Sequence, residues 1–183
     1  QAIQRDPNYA LAYVALADVY NLLGFYSALP PNTAYPKAKA AALKALEIDE
    51  SLSDAHTSLA DVRLHYDVDW RGAEQGFQRA IALNPNNSSA HHWYAVYLSL
   101  LGRTEESWKE IKRALELDPV SVSINADMAL HHFYAGQFNQ AISQCLKSLD
   151  IDPNSHLAHF WLARAYGQKK MNAEAIREFR KAF

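Results

Sequence analysis

Pro85, Pro119 and Pro153 stand 34 residues apart, and each closes a stretch of one kind: "AIALNP", "ALELDP" and "SLDIDP". Proline cannot continue a helix and drives the residue before it out of helical geometry, so each proline marks a helix end. Asp or Asn before it, with Asn or Ser following, supplies a capping side chain for the next helix. The same interval separates Ala80, Ala114, Ser148 and Ala182, and it separates Ala141 from Ala175 and Gly102 from Gly136. Between these markers apolar residues recur at three and four, as in "WYAVYLSLLG" and "SWKEIKRALEL". Each period therefore reads as two amphipathic helices joined by a short turn. One such unit cannot bury its apolar faces alone, so the units must stack.

Composition narrows the function classes. The chain has 183 residues, of which 49% are hydrophobic and 21% charged. Six glycines and seven prolines are fewer than a loop-rich all-β fold needs at its turns. The 18 basic and 20 acidic residues leave a net charge of −2 with no basic block, so no direct nucleic-acid binding is expected. No run of apolar residues is long enough to span a bilayer, so no membrane insertion is expected. Cys145 is the only cysteine, which excludes an internal disulfide and a cysteine-based zinc site and fits a reducing, cytoplasmic location. The opening "QAIQRDPNYA" has no initiator methionine, basic leader or apolar signal core, so the expectation is a segment of a longer protein.

The residues at the repeat positions resemble the tetratricopeptide repeat. Its signature is a large residue, Leu, Gly or Ala, Tyr, Ala, Phe, Ala and Pro. The last period gives His159, Leu162, Ala163, Tyr166, Ala175, Phe179 and Ala182. The first gives Tyr13, Leu16, Ala17, Tyr20, Ala38, Ala42 and Ala45, with Glu50 in place of proline, and the second gives His56, Leu59, Ala60, Ala73, Phe77, Ala80 and Pro85. The third keeps Ala95, Gly102, Ala114 and Pro119, and the fourth keeps Ala129, Gly136, Ala141 and Pro153. The resemblance implies an all-α fold, a right-handed α-solenoid of helix-turn-helix repeats. It divides one array over 1–183 into repeats at 10–52, 53–87, 88–121, 122–155 and 156–183, the last cut short, with 1–9 as the tail of a preceding second helix. The array reaches Phe183 without the polar capping helix that solenoids usually need, so the expectation is that the parent protein continues in both directions. A weaker resemblance, carried by "DPNYALAYVALADVY" and the proline-rich stretch after it, is to the C-terminal repeat regions of large bacterial transcriptional regulators or Ser/Thr kinases.

Two periods are longer than the rest. The second carries one extra residue near "HYDVDWRG", and the first carries nine near "GFYSALPPNTAYPKAK". Pro30, Pro31, Asn32 and Pro36 predict a stiff extended connection there, with Pro36 admissible in the first turn of the next helix. Two uses of it are open: a surface loop, or a flap that carries Phe25, Tyr26 and Tyr35 towards a groove.

No catalytic motif is present, and neither enzyme activity nor a cofactor is expected. Adjacent histidines on a helix diverge by about 100°, so "HHW" and "HHF" cannot grip one metal ion well. His56, His91 and His159 fill the large-residue position of the signature and should pack between helices. Cys145 stands at the signature phenylalanine and should be a buried filler. "NNSS" at 86–89 contains glycosylation sequons but reads as a helix start. What remains is an interaction surface. In the family the first helices of successive repeats line a concave groove that takes a protein or peptide. Carried over residue by residue, that lining is Val14, Asp18, Asn21, Asp54, Thr57, Asp61, Ser89, His92, Val96, Ala126, Leu130, Phe133, Phe160 and Arg164. The early half is acidic and suits a Lys- or Arg-bearing ligand, whereas the later half is apolar and aromatic with Arg164 open to a carboxylate. Val14 and Asp18 stand where the family's carboxylate-clamping members carry Lys and Asn, so chaperone-tail binding is not expected. The alternative reading is a homo-oligomer assembled through the repeat ends, at 1–9 or 171–183.

Overall fold

The computed structural model describes residues 2–182. Among them every regular element is helical: α1 (Ala2–Arg5), α2 (Ala10–Phe25), α3 (Pro31–Ile48), α4 (Ser53–Val62), α5 (Trp70–Leu83), α6 (Ser88–Leu100), α7 (Thr104–Leu117), α8 (Val122–Tyr134), α9 (Phe138–Ile151), α10 (His156–Gln168) and α11 (Asn172–Ala182). Arg63–Asp67 continues α4 as a π-helical turn. The chain forms two compact units, one up to Ser107 and one from Trp108, and the division falls within α7.

In the first unit α2 packs on α3, and α4 on α5, as helical hairpins. The first helices also touch their own kind, α2 against α4 and α4 against α6. No comparable contact joins α3 to α5 among the described residues. Successive hairpins are therefore closer on the first-helix side, which makes that side concave. Small residues set the spacing: Ala17, Ala38, Ala42, Ala45, Ala55, Ala60, Ala73 and Ala80 are all wholly buried. Between them Phe77 is fully enclosed by Ala60, Leu64, Ala73, Tyr94, Tyr97 and Leu98. Burying one such ring contributes about 2–3 kcal/mol. In the second unit α8 pairs with α9 and α10 with α11, and α8 also contacts α10. Its core gathers Phe133, Cys145, Trp161 and Leu162 around Ala129, Ala141 and Ala165. Burial pushes the Cys145 thiol up to about 12, as a packed filler requires.

Each hairpin turn passes through the left-handed region at one residue: Ser27 (φ 56°), Val68 (55°), Gly102 (72°), Gly136 (72°) and Lys170 (61°). A helix that ends this way lets the next N–H close back on an orphan carbonyl. Arg103 N, Gln137 N and Met171 N do so onto Leu98 O, His132 O and Tyr166 O, at 2.9, 2.9 and 3.0 Å. At Val68 the closing bond runs one residue further, from Asp69 N to Arg63 O at 2.9 Å. The single extra residue of that period is thus absorbed by the π-turn.

The proline-rich stretch departs from expectation. It is not an extended connection, because α3 begins at Pro31 and runs through Pro36 to Ile48. Pro31 is at a helix start, where the missing N–H costs nothing. Pro36 lies deeper in the helix, and burial of its neighbours Ala34, Tyr35 and Ala38 holds the segment helical. The nine extra residues lengthen α2 and α3 by three and four relative to α6 and α7, and the turn between them takes the other two. Gly24 accommodates this: a Cβ there would lie 2.9 Å from the Tyr35 ring.

Candidate first-helix interaction surface

Sequence and packing together place three carboxylates on the concave side of the first unit. α2 presents Asp18, while α4 presents Asp54 and Asp61. The side chains between them fix their positions. The Ser58 hydroxyl hydrogen-bonds the Asp18 carboxylate and lies 2.9 Å from the Asp54 carbonyl. Asn21 donates from Nδ2 to Ser58 O at 2.9 Å, and its buried Oδ1 has no donor. Asn87 caps α6 by accepting from Ala90 N at 3.0 Å, and its Nδ2 donates to Asp54 Oδ1 and Ser53 Oγ, both at 2.7 Å. This is the helix start expected from "NNSS". It also leaves Asn87 too deeply engaged to serve as a glycan acceptor.

The electrostatics are those of crowded carboxylates. Partial burial raises the Asp18 pKa, the Ser58 hydrogen bond offsets part of that, and the charges of Asp54 and Asp61 raise it further. Asp61 is only 3% exposed and has His65 Nδ1 at 2.9 Å as its ionic neighbour. That ring proton also faces the Asp61 backbone carbonyl at 3.2 Å, and Oδ1 receives no aligned hydrogen bond. Burial lowers the His65 pKa, but the Asp61 carboxylate outweighs it and the net shift is upward. Among the described residues no lysine or arginine pairs with Asp18, Asp54 or Asp61.

Beside the acids lies an aromatic corner. Phe25, His65 and Trp93 meet edge to face at centroid distances of 5.4, 5.5 and 5.9 Å. Tyr35 stacks on Tyr66 at 5.6 Å and lies parallel to His65 at 6.5 Å. The long α2 and α3 thus carry Phe25 and Tyr35 onto the π-turn, while Tyr26 stays exposed. His92 is buried and stacks on Trp93, and Val96 is half-buried. Two residues expected in the lining face inward instead. Val14 packs against Ala45 and Ala55, and the Thr57 hydroxyl bonds the Ser53 carbonyl at 3.0 Å. Neither offers surface to a ligand. In the second unit Ala126 is likewise wholly buried, whereas Leu130, Phe160 and Arg164 are half-buried. Phe133 packs mainly into the core, and Arg164 lies over its ring. Ser58, Asn87, His65 and Trp93 were not anticipated. Asn87 had a signal as a helix cap, but nothing in the period announces its second bond.

The histidines act in packing, through a contact that recurs with the period. His56, His91 and His159 each bring Nε2 to the carbonyl six residues earlier, that of Glu50, Pro85 and Pro153, at 2.9, 3.1 and 3.0 Å. Asn125 makes the same bond to Pro119 O at 3.0 Å. A carbonyl only accepts, so Nε2 carries the proton in each ring. These bonds tie the inter-hairpin turn to the following helix. Among the described residues no three His, Cys, Asp or Glu side chains form a metal-binding group.

Comparison with known proteins agrees with this geometry. A tetratricopeptide-repeat family model matches residues 77–109 and 145–177, segments that begin at Phe77 and Cys145. The transcriptional regulator HilA of Salmonella typhimurium is 26% identical over 142 residues, which is 78% of this chain and 26% of HilA, so the match spans about a quarter of that protein. Among solved structures, YrrB, a tetratricopeptide-repeat protein with an unusual peptide-binding site, superposes with a TM-score of 0.60 at 22% identity, covering 99% of this chain and 88% of YrrB. The Cut9–Hcn1 assembly of the anaphase-promoting complex gives a TM-score of 0.79 at 15% identity, over 98% of this chain and 34% of its own. At these identities the structures speak for the fold. No described helix is long and apolar enough to cross a membrane. Stacked hairpins, the repeating left-handed turns and two matched segments show that the chain has the fold of tetratricopeptide-repeat proteins.

Proposed function

We propose that the chain is a non-catalytic interaction module whose first unit binds an extended peptide or partner segment carrying Lys or Arg along α2, α4 and α6. The observation that supports this reading is the cluster of Asp18, Asp54 and Asp61, which no described lysine or arginine pairs with, beside the Phe25–His65–Trp93 corner. The buried Asn21 Oδ1 has no donor, and Asp61 Oδ1 has only the poorly aligned His65 Nδ1 at 2.9 Å, so both can take a further donor. A rigid helical surface leaves the ordering cost to the ligand, and like-charged carboxylates favour basic partners and faster encounter. The fold is that of a protein-interaction scaffold, and the likeness to HilA favours a role inside a longer regulatory protein.

The test is fluorescence anisotropy with a labelled extended octapeptide rich in Lys and Arg, against its Glu/Asp counterpart. The basic peptide should bind, should weaken steeply with salt, and should lose at least tenfold in affinity in the D18N/D54N variant at unchanged melting temperature. Equal binding of both peptides, or no effect of the double substitution, would count against the reading.

A further inference from the structure

In the second unit a cation is held against aromatic rings with nothing anionic facing it. The Arg164 guanidinium carbon lies 4.7 Å from the centre of the Phe133 ring, 4.9 Å from Trp161 and 5.7 Å from Phe160. These ring faces orient the guanidinium and strip part of its water, but they accept none of its N–H bonds at the edges. Among the described residues no carboxylate pairs with it. A second donor lies in the same cluster. Trp161 is 6% exposed, and its indole Nε1–H is buried without an acceptor. Beside them Tyr134 stands 68% exposed, with its ring 5.9 Å from Trp161. Two donor groups without acceptors therefore adjoin an open aromatic surface.

We propose that this side of the second unit binds a carboxylate carried beside an aromatic or large apolar side chain. The carboxylate takes the free edge of Arg164, and the apolar group covers Tyr134 and Phe160. A guanidinium held over aromatic rings keeps its planar fork of N–H groups, which suits two coplanar oxygens. Its single charge matches a carboxylate rather than a phosphate dianion. The inference rests on the groove reading only in taking the first-helix side as the ligand side.

The test is a nuclear magnetic resonance titration of the whole chain, following the Trp161 indole and Arg164 Nε–H signals. The probes are N-acetyl-phenylalanine, its uncharged amide, the α-amide of N-acetyl-glutamate, and phenyl phosphate. Saturable shifts of both signals with a carboxylate probe, none with the amide, and at least tenfold weaker binding in R164Q support the proposal. Of the two carboxylates, the one that saturates at lower concentration identifies a chain terminus or an acidic side chain as the source. Shifts with the amide equal to those with the acid, unchanged binding in R164Q, or saturation by phenyl phosphate below the carboxylates would overturn it. Binding of the basic octapeptide is read on α2 and α4, so either site can fail without the other.

Discussion

At the scale of single residues the repeat is enforced by backbone geometry as much as by side chains. The left-handed residue of each hairpin turn is glycine at 102 and 136, but valine at 68, a β-branched residue that the region disfavours strongly. The contacts around the π-turn impose that conformation on Val68, whose side chain is itself mostly exposed. Replacing Val68 with glycine should therefore raise stability by about 1 kcal/mol, seen as a higher urea midpoint at constant slope. A lower midpoint would mean that the valine side chain contributes more than its backbone strain costs. The recurrent bond from His56, His91, Asn125 and His159 to the turn carbonyl has the same character. The sequence places a large residue there, but the bond depends on a ring nitrogen or an amide reaching six residues back.

At the scale of elements, the helix pairs were legible because proline and apolar spacing mark their ends, and the helices of the third to fifth periods follow that punctuation. The longer first period runs against its local sequence. Three prolines in seven residues argue locally for extended chain, and burial of Tyr35 and its alanine neighbours overrides that preference. The π-turn was visible only as a one-residue slip in the period. The carboxylates of the first unit were legible as charge on its first helices, but which side chains of those helices face solvent was not. Val14 and Thr57 share the face of Asp18 and Asp61 in a helical projection, and only packing against Ala45, Ala55 and the helix backbone turns them inward.

The last hairpin supplies an element-scale prediction. Glu178, only 5% exposed, joins α11 to α10 through His159 Nδ1 at 2.7 Å and also receives Lys181 and Arg177. Burial would raise its pKa, but the hydrogen bonds from Lys181, His159 and Arg177 outweigh it and hold the carboxyl below its ordinary value. A carboxyl depressed on folding contributes stability above its unfolded pKa and loses it as pH falls through the folded value. Substituting E178Q should thus cost about 1–3 kcal/mol near neutral pH, and the difference from the parent should shrink in acid. A cost independent of pH would show that shape, not charge, joins these helices.

At the scale of the molecule, two compact units each offer a first-helix surface with its own chemistry. The first is acidic with an aromatic corner, and the second is aromatic around one unpaired guanidinium. Each surface lies where a periodic packing scheme leaves polar groups that its own core does not satisfy, and on the proposed reading these set the preference among partners. The most direct test of the acidic surface is an amide chemical-shift map recorded while the Lys/Arg octapeptide is titrated into the whole chain. The account predicts that the perturbed amides of the first unit cluster on α2, α4 and the start of α6, around Asp18, Asn21, Asp54, Asp61 and Asn87. Perturbations confined to α3 and α5, on the opposite side of the hairpins, would contradict it.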